Sequence, residues 1–367
     1  VRTSGGDAVI GLPDFPWDRL VPYKRRAAEH AGGIVDLSVG TPVDPVPAVA
    51  REALAGASGG PGYPLTHGTE QVRRSAAGWL ARRHGVTVDP ADILPTIGSK
   101  ELVAWLPTLL GVGPGDRVVL PSLAYPTYDV GARLAGATPH PTDGLLGLGP
   151  ERVPLVWVNS PSNPTGQVLP AEHLRKVVEW ARERGAVVAS DECYIELGWE
   201  QTPVSILRPD VCGGSHEGLL AVHSLSKRSN LAGYRAGFVT GDPGLVARLL
   251  EVRKHAGMIM PGPVQAAMAA ALDDDTHAEE QRERYAARRA LLRPALEKAG
   301  WRVEHSTAGL YLWATDDRGC WEQVQALAEM GILVAPGDFY GTAGGSHIRI
   351  AMTASDERIN AAVLRLQ

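Results

Sequence analysis

Cysteine is scarce in this chain: Cys193, Cys212 and Cys320 stand far apart, with no Cys-x-x-Cys pair. That spacing excludes a disulfide framework and the usual zinc layouts, so no metal is expected. No uncharged apolar run approaches the ~18 residues of a membrane span, and the opening residues lack a secretory-signal layout. Basic residues are not in excess. Thirty-six Lys and Arg against 41 Asp and Glu leave a net charge of −5, with the signs mixed along the chain. This balance argues against a nucleic-acid partner or a polybasic membrane anchor. Internal repeats and low-complexity tracts are missing as well. So are a GxGxxG between a strand and a helix, the Gly-Lys of a Walker loop, HExxH and GxSxG. The expectation is a soluble, cytoplasmic enzyme that holds any phosphate by some other means.

What is there is 367 residues, 44% of them hydrophobic, enough for two or three domains with sizeable cores. The first dozen residues read as a flexible lead-in, and 12–24 as a Pro-punctuated arm. A short strand follows over 34–39, then a proline-rich connector to a helix over 48–55. From 69 to 240 the pattern alternates. Helical stripes at 70–84, 101–110, 128–134 and 174–184 are interleaved with apolar runs at 117–120, 155–158, 186–189, 219–222 and 236–239. Such alternation predicts an α/β fold with a mostly parallel sheet covered on both faces, with ligands beyond the carboxyl ends of its strands. After Asp242 a long helical stretch leads to short strands at 310–313, 333–334 and 348–351 and a helix at 321–330, a smaller α+β domain joined by the N-terminal arm. The expected division is an arm and part of the small domain over 1–44, a large domain over 45–245, and an interdomain helix with the small domain over 246–367.

Polar residues collect at four strand ends. Asn159-Ser160-Pro161-Ser162-Asn163-Pro164-Thr165-Gly166 follows one strand, and Ser190-Asp191-Glu192-Cys193-Tyr194 the next. His223-Ser224-Leu225-Ser226-Lys227 follows the third, and Arg235 stands just before the fourth. An Asp, a Lys and an Arg at the exits of one sheet suggest a charged, aromatic cofactor. With Gly233-Tyr234-Arg235-Ala236-Gly237, the Asn-Pro-x-Gly turn and the Asp-x-x-Tyr spacing, the chain resembles the class I/II aminotransferases of the pyridoxal-phosphate fold type I superfamily from about Leu12 onward.

The resemblance implies the cofactor pyridoxal 5′-phosphate, a seven-stranded large-domain sheet and a set of residue roles. Lys227 would bond the cofactor and move the substrate proton. Asp191 would pair with the ring nitrogen, and Tyr194 and Asn163 would hydrogen-bond the ring's phenolic oxygen. Gly98-Ser99-Lys100-Glu101 opens a helix whose amides suit a dianion, and with Ser224, Ser226 and Arg235 it would cup the phosphate; Lys100 contributes its backbone. Tyr125 would stack on the ring. Tyr63 would reach the phosphate of a neighbouring subunit, making the active unit a homodimer with shared sites. Arg349 would grip the substrate α-carboxylate, with Gly40 leaving room beside it.

Closer likeness in residues 12–18, 35–47, 96–110 and 123–136 points to the actinobacterial branch of succinyldiaminopimelate aminotransferases. It implies amino transfer between glutamate and N-succinyl-2-amino-6-ketopimelate, in diaminopimelate and lysine biosynthesis. Distal carboxylates would then need cations, for which Lys24, Arg25, Arg26, Lys254 and His255 are candidates. The alternatives are an aminotransferase for another amino acid or a carbon–sulfur lyase on the same Asp–Lys pair. A cofactor-sensing transcription regulator is disfavoured because only about 35 residues precede the first matched strand, too few for a winged-helix domain.

Overall fold

The computed structural model describes residues 11–149 and 152–367, so most of the expected flexible lead-in lies outside the described residues. The proline arm forms a 3-10 turn at Pro16–Leu20 and runs into helix α1 (Val21–Ala28). Strand β1 (Val35–Asp36) and helix α2 (Ala48–Ala57) follow. Helix α3 (Glu70–His84) shows how local chemistry sets an element. The Thr69 hydroxyl accepts from the Val72 N–H at its start, and Gly85 at φ 64° ends it in the left-handed conformation that glycine adopts without strain. Its inner face is Val72, Ala76, Trp79 and Leu80.

The chain then builds β2 (Ile93–Ile97), α4 (Gly98–Leu109), β3 (Arg117–Leu120), α5 (Thr127–Leu134), β4 (Thr138–Pro141) and β5 (Leu155–Asn159). It continues through α6 (Ala171–Arg184), β6 (Val187–Asp191), α7 (Pro209–Cys212), β7 (Leu219–Ser224), α8 (Leu225–Arg228) and β8 (Ala236–Gly241). Seven of these strands form one sheet in the order β2-β8-β7-β6-β5-β3-β4. Pairing is parallel from β7 to β4; β8 runs antiparallel to both β7 and β2. β5 and β7 are buried along their whole length and β6 beyond its first residue, as strands covered on both faces must be. Their carboxyl ends therefore open side by side on one edge, and Asn159, Asp191 and Ser224 are their last residues.

Three long helices lead away: α9 (Pro243–Ala256), α10 (Gly262–Asp273) and α11 (Thr276–Lys298). The remainder is β9 (Arg302–Glu304), β10 (Tyr311–Thr315), α12 (Cys320–Glu329), β11 (Ile332–Leu333), β12 (Ala335–Pro336), β13 (Ile348–Ala351) and α13 (Asp356–Arg365). A four-stranded sheet β12-β13-β10-β9 is antiparallel throughout, while β1 pairs in parallel with β11. One apolar cluster unites Leu20, Ala27, Val35 and Leu37 with side chains from Leu292 to Leu366, so the first elements complete the core of the last. Two other clusters sandwich the large sheet.

Candidate active site

The carboxyl edge of the large sheet gathers the polar strand ends into one place. Asn159 at the end of β5 binds both ways. Its Nδ2 donates to the Asp191 carbonyl at 2.9 Å, and its Oδ1 accepts from the Asn163 N–H at 2.7 Å. The loop carrying Asn163 is thereby fastened to β6. Asp191 is buried, and its carboxylate accepts from the Tyr128 hydroxyl at 2.8 Å and from the Cys193 N–H at 3.2 Å. Burial pushes its carboxyl above the usual range, against those hydrogen bonds. A cation beside it would relieve that penalty. Tyr128 itself is fully buried and stacks on Trp157 of β5 at 4.8 Å.

Lys227 sits on the short α8 just beyond β7, and its amine donates to the Gly40 carbonyl. Burial pulls the ammonium below its ordinary value, with Arg349 and Arg235 adding to the shift and Tyr311 and Cys193 opposing it. Burial of this kind favours the neutral amine, the form that acts as nucleophile or base, over the ammonium.

Next to it lies a cradle. Gly98 opens α4 at φ 71°, and a Cβ there would run into the Arg235 guanidinium. Arg235 is itself left-handed at φ 58°, with its Nη1 donating to the Ala232 carbonyl at 2.8 Å. A Cβ on Gly237 would lie 3.1 Å from the Ser99 N–H, so strand β8 passes close under the helix start. Glu101 fixes that start from outside: it accepts from the Ile97 N–H at 3.3 Å and pairs twice with the fully buried Arg253, at 2.8 and 3.0 Å. Ser224 and Ser226 are buried and adjoin it, the Ser224 hydroxyl accepting from the Ser226 N–H at 3.2 Å. A helix N-terminus facing a guanidinium across a glycine suits a dianionic ester. The Lys100 side chain is exposed and points to Phe15 of the arm, 6.0 Å from its ring, so only its backbone belongs to the cradle.

The small domain supplies the other wall. Arg349 on β13 is buried, donating from Nη1 to Asn163 Oδ1 at 2.9 Å and from Nη2 to the Ser38 carbonyl at 2.7 Å; its Nε has no partner. Of five guanidinium N–H groups, three remain uncommitted, enough for two-point capture of a carboxylate. The rings of Tyr311 and Tyr340 lie 3.9 and 4.9 Å from its carbon. Tyr194 is buried with its hydroxyl 3.1 Å from that of Tyr311. Burial and the neighbouring Tyr311 raise the Tyr194 phenol. The Tyr311 phenol, though buried too, is held below its ordinary value by Arg349 and Lys227.

A Cβ on Gly40 would strike the Tyr311 hydroxyl and ring, so only a glycine lets Tyr311 pack against the backbone there. Tyr125 is half-buried and edge-on to Tyr128 at 5.8 Å. It lines a cavity of about 540 Å³ together with Arg19 of the arm, Leu120, Phe339 and Tyr340. Tyr63 stands apart from the rest, 99% exposed. Of the distal cations, Lys24 faces Asp36 at 3.8 Å, Arg26 pairs with Glu29 and Lys254 with Glu251, and none of the five lines the cavity. Tyr128, Tyr311, Tyr340 and Ser38 were not singled out from sequence. Tyr128, one helical turn after Tyr125, carried the only local signal.

Comparison with known proteins bears on this geometry. The family described as aminotransferase class I and II matches residues 33–366. The chain is 64% identical, over 97% of its length and 99% of the other's, to the 4-dedimethylamino-4-oxo-anhydrotetracycline transaminase OxyQ of Streptomyces rimosus. It is 63% identical, over 98% of its length and 87% of the other's, to the probable aminotransferase Rv1178 of Mycobacterium tuberculosis. An LL-diaminopimelate aminotransferase of Aquifex aeolicus is 33% identical over 98% of both chains. Among solved structures, a probable N-succinyldiaminopimelate aminotransferase of Thermus thermophilus superposes with a TM-score of 0.86 at 30% identity, covering 96% of this chain and 99% of that one.

Proposed function

From the premise that this chain belongs to the class I and II aminotransferases and depends on pyridoxal 5′-phosphate, we propose that it moves an amino group between glutamate and N-succinyl-2-amino-6-ketopimelate in two half-reactions. The observation that carries the α-amino-acid reading is Arg349, buried and braced by Asn163 and Ser38 with three N–H groups to spare. An uncompensated buried guanidinium calls for an anion, and its fork matches a carboxylate. When bound, the cofactor supplies an electron-withdrawing ring that takes up the electron pair released at the substrate α-carbon.

In this reading Arg349 orients the substrate so that its α-hydrogen faces Lys227. Lys227, whose ammonium burial destabilises, would hold the cofactor through its Nζ when substrate is absent; once the substrate amine takes its place, the freed Nζ would hold the α-proton and pass it on. Asp191, oriented by Tyr128, keeps the ring nitrogen protonated. Ser99, the Lys100 backbone, Ser224, Ser226 and Arg235 hold the phosphate at the start of α4. Tyr125 would cover one face of the ring, and Tyr194 and Asn163 would hydrogen-bond its phenolic oxygen. Tyr63, exposed on its own subunit, completes the phosphate site of a partner in a homodimer.

The acceptor rests on the closer likeness noted in the sequence and on relatives named for diaminopimelate substrates. A second reading is a bulky cyclic ketone acceptor. It is favoured by the 64% identity to OxyQ and by the size and the aromatic and proline walls of the cavity beside Tyr125. Both are tested by following the visible absorbance of the bound cofactor as N-succinyl-LL-diaminopimelate, glutamate and a 4-amino-anhydrotetracycline are added in turn. Bleaching by the first at micromolar to millimolar levels, with return on adding 2-oxoglutarate, is the expected result. Bleaching by the tetracycline amine alone supports the second reading. Pyruvate release from a β-substituted amino acid without bleaching would point to the lyase.

A further inference from the structure

Two phenol rings, those of Tyr311 and Tyr340, pack against Arg349, and one does more. Tyr311 is the first residue of β10, and Arg349 lies two positions from its cross-strand partner Ala351 on β13, so both side chains emerge on the same face. The Tyr311 ring lies 3.9 Å from the guanidinium carbon, within cation–π range. Its hydroxyl is 3.1 Å from that of Tyr194, and its ring edge abuts Gly40, whose carbonyl accepts from Lys227. Tyr311, Tyr194 and Arg349 are all buried. Tyr311 thus touches Arg349 and Tyr194 and adjoins the glycine whose carbonyl holds Lys227, and a substrate carboxylate arriving at Arg349 changes the charge over its ring.

We propose that Tyr311 is a positioning residue with two separable jobs. Its ring braces Arg349 for the carboxylate, and its hydroxyl orients and polarises the Tyr194 phenol toward the cofactor's phenolic oxygen. The inference rests on the roles given above to Arg349 and Tyr194. A hydroxyl that donates to the ring oxygen while accepting from a second hydroxyl is the stronger donor. Donation to that oxygen competes with the neighbouring proton for the same lone pairs and so favours the deprotonated form of the bound cofactor. Asn163 meets Arg349 as well, through a hydrogen bond at the edge of the guanidinium; Tyr311 meets it through its ring. Ring contacts and hydrogen bonds thus hold one guanidinium, and the Tyr311 ring is removable by itself.

The experiment compares holoenzymes of the wild type, Tyr311→Phe, Tyr311→Leu and Arg349→Lys. Tyr311→Phe keeps the ring and removes the hydroxyl. The pH midpoint of the visible band should rise by about half a unit, with KM for the carboxylate substrate within twofold of wild type. Tyr311→Leu removes both, and KM should rise about tenfold in addition. A merely structural role would lower the melting temperature and leave the midpoint where it was. An unmoved midpoint in Tyr311→Phe, or equal effects of Phe and Leu on KM, overturns the inference. Arg349→Lys is the separate control. If it leaves KM unchanged, the assignment of the carboxylate site fails, whatever Tyr311 does.

Discussion

Glu192 offers a quantitative test of how the buried residues behind the site are balanced. Its Oε1 accepts from the Ser190 hydroxyl at 2.9 Å and the Ile206 N–H at 2.8 Å, whereas Oε2 is without a partner and lies 3.7 Å from His223 Nε2. Burial raises its carboxyl from the ordinary 4.5 to about 7, against the Ile206, Ser205 and Ser190 hydrogen bonds. His223 cannot rescue the charge, because burial drives its own value well below 6.5 and keeps it neutral. A group with a folded pKa above its unfolded one adds stability at low pH and loses it as the pH rises through the folded value. Here that window runs from 4.5 to about 7, and the loss at pH 8 relative to pH 4 comes to about 3 kcal/mol. In a chain of this length that is about 4 °C of melting temperature. Glu192→Gln imitates the protonated acid, keeping an acceptor toward Ser190 and Ile206 and placing a donor toward His223. Thermal melts of both holoenzymes from pH 4 to 8.5 should lie closest at the acid end, part steadily between 4.5 and about 7 and run parallel above it, the variant melting higher. His84, held down to about 4 mainly by burial, titrates alike in both and cancels from the difference. A difference that stays constant with pH would refute the reasoning.

Three further outcomes are expected. Lys227→Ala should keep its circular dichroism spectrum but lose turnover and the visible band; wild-type turnover would remove the lysine from the mechanism. Asp191→Asn should still bind cofactor, with turnover down about a hundredfold or more in steady-state assays, since the amide cannot balance a charged ring nitrogen. Gly98→Ala puts a methyl into the Arg235 guanidinium and a side chain at φ 71°, so cofactor titration should show affinity down about tenfold or more, while Gly113→Ala, whose methyl would meet only the Ala135 carbonyl oxygen at 4.0 Å, should leave affinity unchanged.

The strand ends were legible in sequence because a buried parallel strand announces itself as an apolar run and must stop where polar residues begin. Asn159, Asp191 and Ser224 stand at those stops. The two edge strands of the same sheet were not legible. β2 is Ile-Leu-Pro-Thr-Ile and β4 is Thr-Pro-His-Pro, and proline, tolerated at edges because no donor is needed there, hides both. The α4 cradle was seen, but the closeness of Arg235 to Gly98 depends on β2 and β8 lying side by side across a long separation in sequence. Tyr311 was readable only as a strand residue. What makes it part of the site is the register of β10 on β13 and the fit of its ring against a glycine some 270 positions earlier, neither of which has a local signature.

The pairing of β1 with β11 sets Val35 against Ile332, so the two strands leave the ribosome nearly three hundred residues apart. At about 5–20 residues per second, the opening segment waits roughly 15–60 s for its partner. During that interval the large sheet can be completed, since its strands lie between Ile93 and Gly241, while Leu20, Val35 and Leu37 have nothing of their own core to bury against. The wall that carries Arg349 is therefore the last to be assembled. A nascent chain halted before β11 would own the proposed cofactor cradle but lack Arg349, and its apolar N-terminal arm would be open to chaperones.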